Sequence, residues 1–105
     1  MIYRNEALLA AVRSLPCVAC GQVGQTQAAH SNQLRFGKGR GLKASDAAIM
    51  ALCASGFNKI GCHAELDQGS KMTKAERQQF EYECIAVTLI QLLEKGHLVV
   101  NKDLK

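Results

Sequence analysis

Four of the five cysteines are spaced so that they can bind one metal ion, and no other feature of the chain constrains its fold as strongly. Cys17 and Cys20 are separated by two residues, which is the spacing of a zinc knuckle. Cys53 and Cys62 can supply the remaining two ligands of a tetrahedral four-cysteine site. Eight residues separate this second pair, so residues 54–61 must bulge outward before the chain returns to the metal. The alternative is a set of ordinary buried cysteines.

Composition explains why a chain of this size needs such a site. The 105 residues contain three Phe, two Tyr and no Trp, so a single domain spanning residues 1–105 has a thin, aliphatic core. No apolar run is long enough to cross a bilayer and no signal-like start is present, so we expect a cytoplasmic protein without membrane contact. In that compartment cysteines favour metal binding over disulfides. Cys84 lies on an apolar helix face and is predicted to be core.

The pattern of apolar and turn-forming residues predicts an α+β fold with a small zinc-stapled core. Residues 26–30 and 48–53 are predicted strands, separated by a long loop at 31–45. A short helix is expected at 5–14, a second at 62–67, and a long one at about 73–95, where Thr73 and Glu76 have the spacing of a capping box. The motif core spans about 15–69. Residues 98–100 either form a final strand or pack back onto the core.

Two histidines and two aspartates are candidates for the chemistry. His30 ends the first strand and His63 follows the last cysteine of the metal site, so both are tied to one centre. His63 and Asp67 are four residues apart and share a helix face, where they could hold a divalent cation. Alternatively, Asp67 orients the imidazole. Asp46 opens the second strand and is either another ligand or a brace for the preceding loop.

That loop carries a local excess of positive charge. The formal net charge is +4, and no acidic residue interrupts the loop before Asp46. Interleaved glycines let the main chain approach phosphates, while basic side chains neutralise them. We therefore predict contact with the nucleic-acid backbone, against the alternative of a solvated loop. The basic residues concerned are Arg35, Lys38, Arg40 and Lys43.

Together these motifs resemble the HNH endonucleases. A Cys-x-x-Cys knuckle precedes a strand ending in His, and a later Cys-His pair follows a loop. More narrowly, the chain is similar to phage and prophage nucleases of the RecA-dependent Ref-like and YbcO-like groups. The segments that carry this resemblance are His30-Ser-Asn, Gly37-Lys-Gly-Arg-Gly-Leu-Lys-Ala-Ser-Asp46 and Cys62-His-Ala-Glu-Leu-Asp-Gln-Gly69.

The resemblance implies a ββα-metal fold and a metal-dependent DNA endonuclease with little sequence specificity, associated with recombination. It makes His30 the general base and His63 a ligand of catalytic Mg²⁺ or Mn²⁺. A recombinase filament such as RecA is a candidate partner. The resemblance assigns a separate structural Zn²⁺ to Cys17, Cys20, Cys53 and Cys62.

One position departs from the family pattern. Many HNH proteins carry Asp or His just before the general base, where this chain has Ala29. Asp67 and Asp46 are the candidates to complete the metal shell.

Two other classes of protein share most of these features. A non-catalytic zinc-knuckle module that binds nucleic acid would use the same cysteines and the same basic loop. A structural zinc domain could dimerise through the apolar arc of its long C-terminal helix. Neither class needs the set His30, His63 and Asp67.

Overall fold

A computed structural model describes residues 2–103 of the chain and has an α+β architecture. A two-stranded antiparallel sheet is accompanied by three helices, in agreement with the predicted fold class. A short 3-10 turn, Leu34–Phe36, interrupts the loop between the strands. In chain order the elements are α1 (Glu6–Arg13), β1 (Thr26–His30), β2 (Ile49–Cys53), α2 (Cys62–Gln68) and α3 (Lys74–Glu94).

The register of the sheet fixes the positions of two candidate site residues. His30 at the end of β1 pairs with Ile49 at the start of β2, and Thr26 pairs with Cys53. The sheet therefore presents His30 at one end and Cys53 at the other. The bounds predicted for β1 are confirmed, whereas β2 begins at Ile49 instead of Ala48.

Strand β2 is the centre of the core. All five of its residues are buried, and alternate side chains enter two different apolar clusters. Met50 and Leu52 face a cluster that includes Leu66 of α2 and Cys84 of α3. Ile49 and Ala51 face a cluster formed mainly by α1 and Leu92 of α3. Burial on both faces explains why β2 reads as a continuous apolar run.

On the edge of β2 that does not face β1, the backbone N–H and carbonyl of Ala51 are also hydrogen-bonded. The carbonyl of Ala51 accepts a hydrogen bond from the Val18 N–H at 2.9 Å. The N–H of Ala51 donates to the Thr88 hydroxyl of α3 at 3.0 Å. An isolated two-stranded hairpin is marginal in water. Here the Cys17–Cys20 knuckle and α3 cover the open edge and stabilise the sheet.

The helix ends follow their predicted signals. Thr73 and Glu76 form the expected capping box at the start of α3, with bonds of 2.8 and 3.1 Å. Asn5 caps α1 by accepting from the Leu8 N–H. Gly96, just after α3, has a φ of +79°, a conformation that favours glycine.

The end of the chain resolves the alternative left open for residues 98–100. Leu98 packs against the α1 cluster, while Val99 and Val100 are exposed. No strand forms there within residues 2–103. In the same range, none of the helices combines the length and apolarity needed to cross a membrane.

Candidate functional site

The four cysteines predicted as metal ligands converge on one point. The sulfurs of Cys17, Cys20, Cys53 and Cys62 all lie within 4.8 Å of one another. Four sulfurs bound to zinc at about 2.3 Å in a tetrahedron lie roughly 3.8 Å apart. The measured distance between the Cys20 and Cys53 sulfurs is 3.7 Å. The cluster could therefore hold a metal ion such as zinc with little rearrangement.

A tight turn positions the first two ligands. The Gly21 N–H donates to the Cys17 carbonyl at 2.8 Å, and the Cys17 N–H donates to the Gln22 carbonyl at 2.9 Å. Gly21 has a φ of +83°, which a residue with a side chain rarely adopts. The glycine directly after Cys20 thus lets the chain turn back beneath the thiols.

Residues 54–61 form the outward bulge that the unusual spacing predicts. Gly56 and Lys59 pair across a tight turn, and Asn58 adopts a left-handed φ of 57° at its tip. Gly61 then passes so close to the backbone of Cys53 and Ala54 that any Cβ there would overlap it. This close approach returns Cys62 to the metal cluster.

The electrostatics of the thiols suit a cation. Burial raises the pKa of Cys17, but N–H groups of Cys20, Cys53 and Ala19 outweigh it and lower the pKa to about 7. Burial raises the pKa of Cys62, and the neighbouring thiols raise it further. One thiolate in the cluster therefore disfavours ionisation of a second thiol, and a bound cation would offset the repulsion between the two negative charges.

Cys84 differs from the other four cysteines. It is buried on α3 in the apolar cluster, as predicted, and burial raises its pKa to about 11.

His30 is held by a buried carboxylate. Its Nε2 lies 2.7 Å from Oδ1 of Asp46, whose side chain is only 4% exposed. Asp46 also accepts from the Asn5 N–H at 2.7 Å and from the Arg4 guanidinium at 3.2 Å. Both carboxylate oxygens are engaged by protein donors. These three partners lie on β1 and in the N-terminal segment, so the Asp46 carboxylate braces His30 directly, whereas the predicted brace was for the 31–45 loop.

The same contacts fix the proton on the imidazole of His30. Burial acts to raise the pKa of Asp46, but the bonds from Asn5, His30 and Arg4 outweigh it and hold that pKa below its usual value. An ionised carboxylate only accepts hydrogen bonds, so Nε2 of His30 carries a proton. In the neutral ring the lone pair is then on Nδ1.

His63 and Asp67 lie side by side on α2, as their spacing predicts. The Nε2 of His63 is 3.2 Å from Oδ2 of Asp67, and its Nδ1 is 2.8 Å from Oε1 of Gln27. The ring of His63 therefore lies between the Asp67 carboxylate and the Gln27 amide, which hold it in one orientation. Hydrogen bonds from His63 and Asn32 lower the pKa of Asp67 against the effect of burial.

The distance between these two side chains matches a shared ion. Two adjacent ligands of an octahedral ion, each bound at about 2.1 Å, lie roughly 3 Å apart. The donor set of one imidazole and one carboxylate suits a divalent cation that retains several waters. Within residues 2–103 the four thiols are the only cluster of three or more metal-ligating groups, so an ion held by His63 and Asp67 would take its remaining ligands from outside the protein.

His30 and the His63–Asp67 pair face one cavity of about 210 Å³. Two basic residues of the 31–45 loop lie at the same cavity, so positive charge surrounds the imidazoles. Arg35 instead stacks on Tyr82 of α3, with 6.0 Å between its guanidinium carbon and the ring centroid, and Arg40 is exposed in a turn of the loop. The polar lining comprises His30, Ser31, Asn32, Lys38, Lys43, His63 and Asp67.

The departure at position 29 has a structural reason. Ala29 is fully buried in the cluster formed by Met50, Leu66 and Cys84. A carboxylate or imidazole at this position would lie in the core instead of the cavity. Position 29 therefore cannot supply a ligand at the cavity.

Sequence reasoning missed the residues that orient the site. Gln27 contacts His63, Asn32 contacts Asp67, and Arg4 contacts Asp46. These polar side chains have no motif spacing relative to their partners, which lie 35 or more positions away. These residues meet their partners only because β1 pairs with β2 and the 31–45 loop returns to the sheet.

Comparisons with known proteins leave the geometry as the sole guide to function. No protein-family model, no curated protein and no solved structure matches the chain.

Proposed function

We propose that this protein is a metal-dependent DNA endonuclease of the HNH type that hydrolyses phosphodiester bonds. One observation carries the proposal. A carboxylate-held histidine and a His-Asp pair on a short helix face the same cavity, and lysines line it. The chain order β1, β2, α2 is compatible with a ββα-metal core.

His30 has the chemistry of a general base. With its Nε2 proton bonded to Asp46, the Nδ1 lone pair is free to take a proton from water. The water oxygen then attacks phosphorus, the bond from phosphorus to the 3′ oxygen breaks, and that oxygen takes a proton from solvent. Asp46 keeps the ring oriented and stabilises the imidazolium that forms.

His63 and Asp67 would hold the catalytic Mg²⁺ or Mn²⁺. When bound, such an ion stabilises negative charge on the phosphate and the leaving oxygen. Asn32 contacts Asp67 and Gln27 contacts His63, each at 2.8 Å, so these two amide side chains orient the pair.

The four-cysteine cluster is proposed to bind a separate structural Zn²⁺. Its ligands come from the knuckle, the end of β2 and the start of α2, so the ion would join all three segments. Because α2 begins at Cys62, the zinc would also fix the direction in which His63 points.

The basic residues are proposed to bind the DNA backbone. Lys38 and Lys43 are at the cavity, where they can neutralise the phosphate to be cleaved. Their contacts involve charge alone, so little sequence specificity is expected.

The test is nicking of supercoiled plasmid by zinc-loaded protein, with and without Mg²⁺ or Mn²⁺. We expect nicking only with the added ion, loss of nicking in His63→Ala, and no loss in the matched control His97→Ala. Addition of a RecA filament to the same assay tests that candidate partner. DNA binding without nicking under every condition would instead favour the non-catalytic zinc-knuckle module.

A further inference from the structure

A second depression, here called the α3 groove, adjoins the His30–His63 cavity. It has a volume of about 660 Å³ and lies between the 3-10 turn and the first turns of α3. Asn32 and Asp67 line both the cavity and the groove, so the two spaces are adjacent. The groove is also lined by Leu34, Arg35, Lys74 and Arg77.

The groove is lined by three basic side chains, Arg35, Lys74 and Arg77, and by two carboxylates, Asp67 and Glu81. The acids present are already engaged: buried Glu81 accepts from the Ser31 hydroxyl at 2.6 Å and the Asn32 N–H at 3.1 Å, and Asp67 accepts from Asn32 and faces His63. By contrast, no salt bridge within residues 2–103 engages Arg35, Lys74 or Arg77.

Arg77 supplies a second observation. Its Nε is fully buried, and no acceptor lies within hydrogen-bonding distance of it in the part of the chain described. The other end of the guanidinium is anchored, since Nη2 donates to the Met72 carbonyl at 3.4 Å. The guanidinium is thus held in place through Nη2 with no ionic partner among residues 2–103, and its charge is available to an anionic oxygen in the groove.

We infer that the α3 groove binds backbone phosphate of the nucleotides next to the cleaved bond. Lys74 and Arg77, one helical turn apart, are positioning residues for that strand. The exposed Leu34 at the rim can contact a sugar or base. The inference rests on the proposed nuclease function for its substrate, but its binding test does not depend on cleavage.

The test compares zinc-loaded His30→Ala protein with the same protein carrying Lys74→Ala and Arg77→Gln. Affinity for a short DNA duplex is measured by fluorescence anisotropy over a range of salt concentrations. We expect weaker binding and a salt slope that is lower by about two, since each lost phosphate contact removes about one. Lys95→Ala, which removes one charge just beyond the far end of α3 and so matches Lys74→Ala alone, should leave the slope nearly unchanged.

Two further measurements keep the inference falsifiable. Exposed Lys74→Ala alone should lower the slope by about one, even where Arg77→Gln reduces folding. In an otherwise wild-type background, the double variant should cleave duplex DNA more slowly but hydrolyse a minimal phosphodiester such as bis(p-nitrophenyl) phosphate at the wild-type rate.

An unchanged salt slope would overturn the inference, as would equal binding of a polyglutamate peptide, which would indicate an acidic protein partner. If the slope falls but wild-type protein cleaves nothing, the groove stands as a DNA-binding surface and the proposed nuclease function fails.

Discussion

Among single residues, Asp46 has the greatest influence on the proposed site. It joins the N-terminal segment, through Arg4 and the Asn5 N–H, to His30 on β1. Its side chain is nearly fully buried, so each of these bonds is shielded from water. The carboxylate therefore contributes to stability as well as to the orientation of the imidazole.

Asp46→Asn should lower the free energy of unfolding by about 1.5–3 kcal/mol, the range for hydrogen bonds to a charged group. Because the folded pKa lies below the unfolded value, this contribution is complete above about pH 4 and is lost as pH falls through the lowered pKa. The measurement is denaturant unfolding of both proteins at a series of pH values.

The difference between wild type and Asp46→Asn should shrink as the pH falls through the lowered pKa of Asp46. Zinc is kept in excess, and pH values at which either protein has lost its metal are left out of the comparison. Asp103→Asn, which changes an exposed carboxylate, should have an effect within about 0.5 kcal/mol. A difference between wild type and Asp46→Asn that does not change with pH would contradict the role assigned to Asp46.

At the scale of elements, the bulge formed by residues 54–61 decides whether the metal cluster closes. Gly61 lies against the backbone of Cys53 and Ala54, which cannot move without displacing the end of β2. Gly56, at the outer turn of the same bulge, has open space around its Cα. Gly61 and Gly56 therefore provide a crowded position and an open one for the same substitution.

Gly61→Ala should separate Cys62 from Cys53 and lower the zinc affinity of the folded chain. Gly56→Ala should leave that affinity close to wild type. Competition with a chromophoric chelator measures both values. Equal zinc affinities for the two variants would show that close approach at Gly61 is not required.

Elements with strong local signals were predictable from the sequence, and the contacts between them were not. The capping signal at Thr73 predicted the bounds of α3 to within one residue, and the apolar run of β2 predicted the bounds of that strand equally well. The 3-10 turn Leu34–Phe36 was missed, because it depends on packing of Phe36 against Tyr82, a contact 46 positions along the chain. The spacing of the cysteines was enough to predict the four-thiol cluster. The hydrogen bond between His30 and Asp46 could not be predicted, because it depends on how the chain folds between them.

On the scale of the whole molecule, the chain has two small clusters on either side of one strand. Several apolar side chains of α3 stay partly exposed, among them Leu89 and Ile90 at 48% and 50%. Dimerisation through this face remains a prediction. The buried apolar core alone is small, so the metal cluster should contribute a large part of the stability.

Removal of zinc with a chelator should unfold the chain, as seen by loss of its circular dichroism spectrum. Binding of structural zinc supplies about 10–16 kcal/mol in small zinc domains, which is comparable with the whole stability of a typical domain. Cys53→Ser should lose tight zinc binding, whereas the matched control Cys84→Ala should retain it. A folded sample with far less than a single zinc ion per chain would contradict this account.

The central claim is that His30, held by Asp46, removes a proton from the attacking water. The most direct measurement is the single-turnover rate of DNA cleavage by His30→Ala, with its zinc content and DNA affinity confirmed to equal those of wild type. We predict a rate about 10²–10⁴-fold lower, the usual contribution of a general base. An unchanged cleavage rate would contradict the claim and place the catalytic base elsewhere.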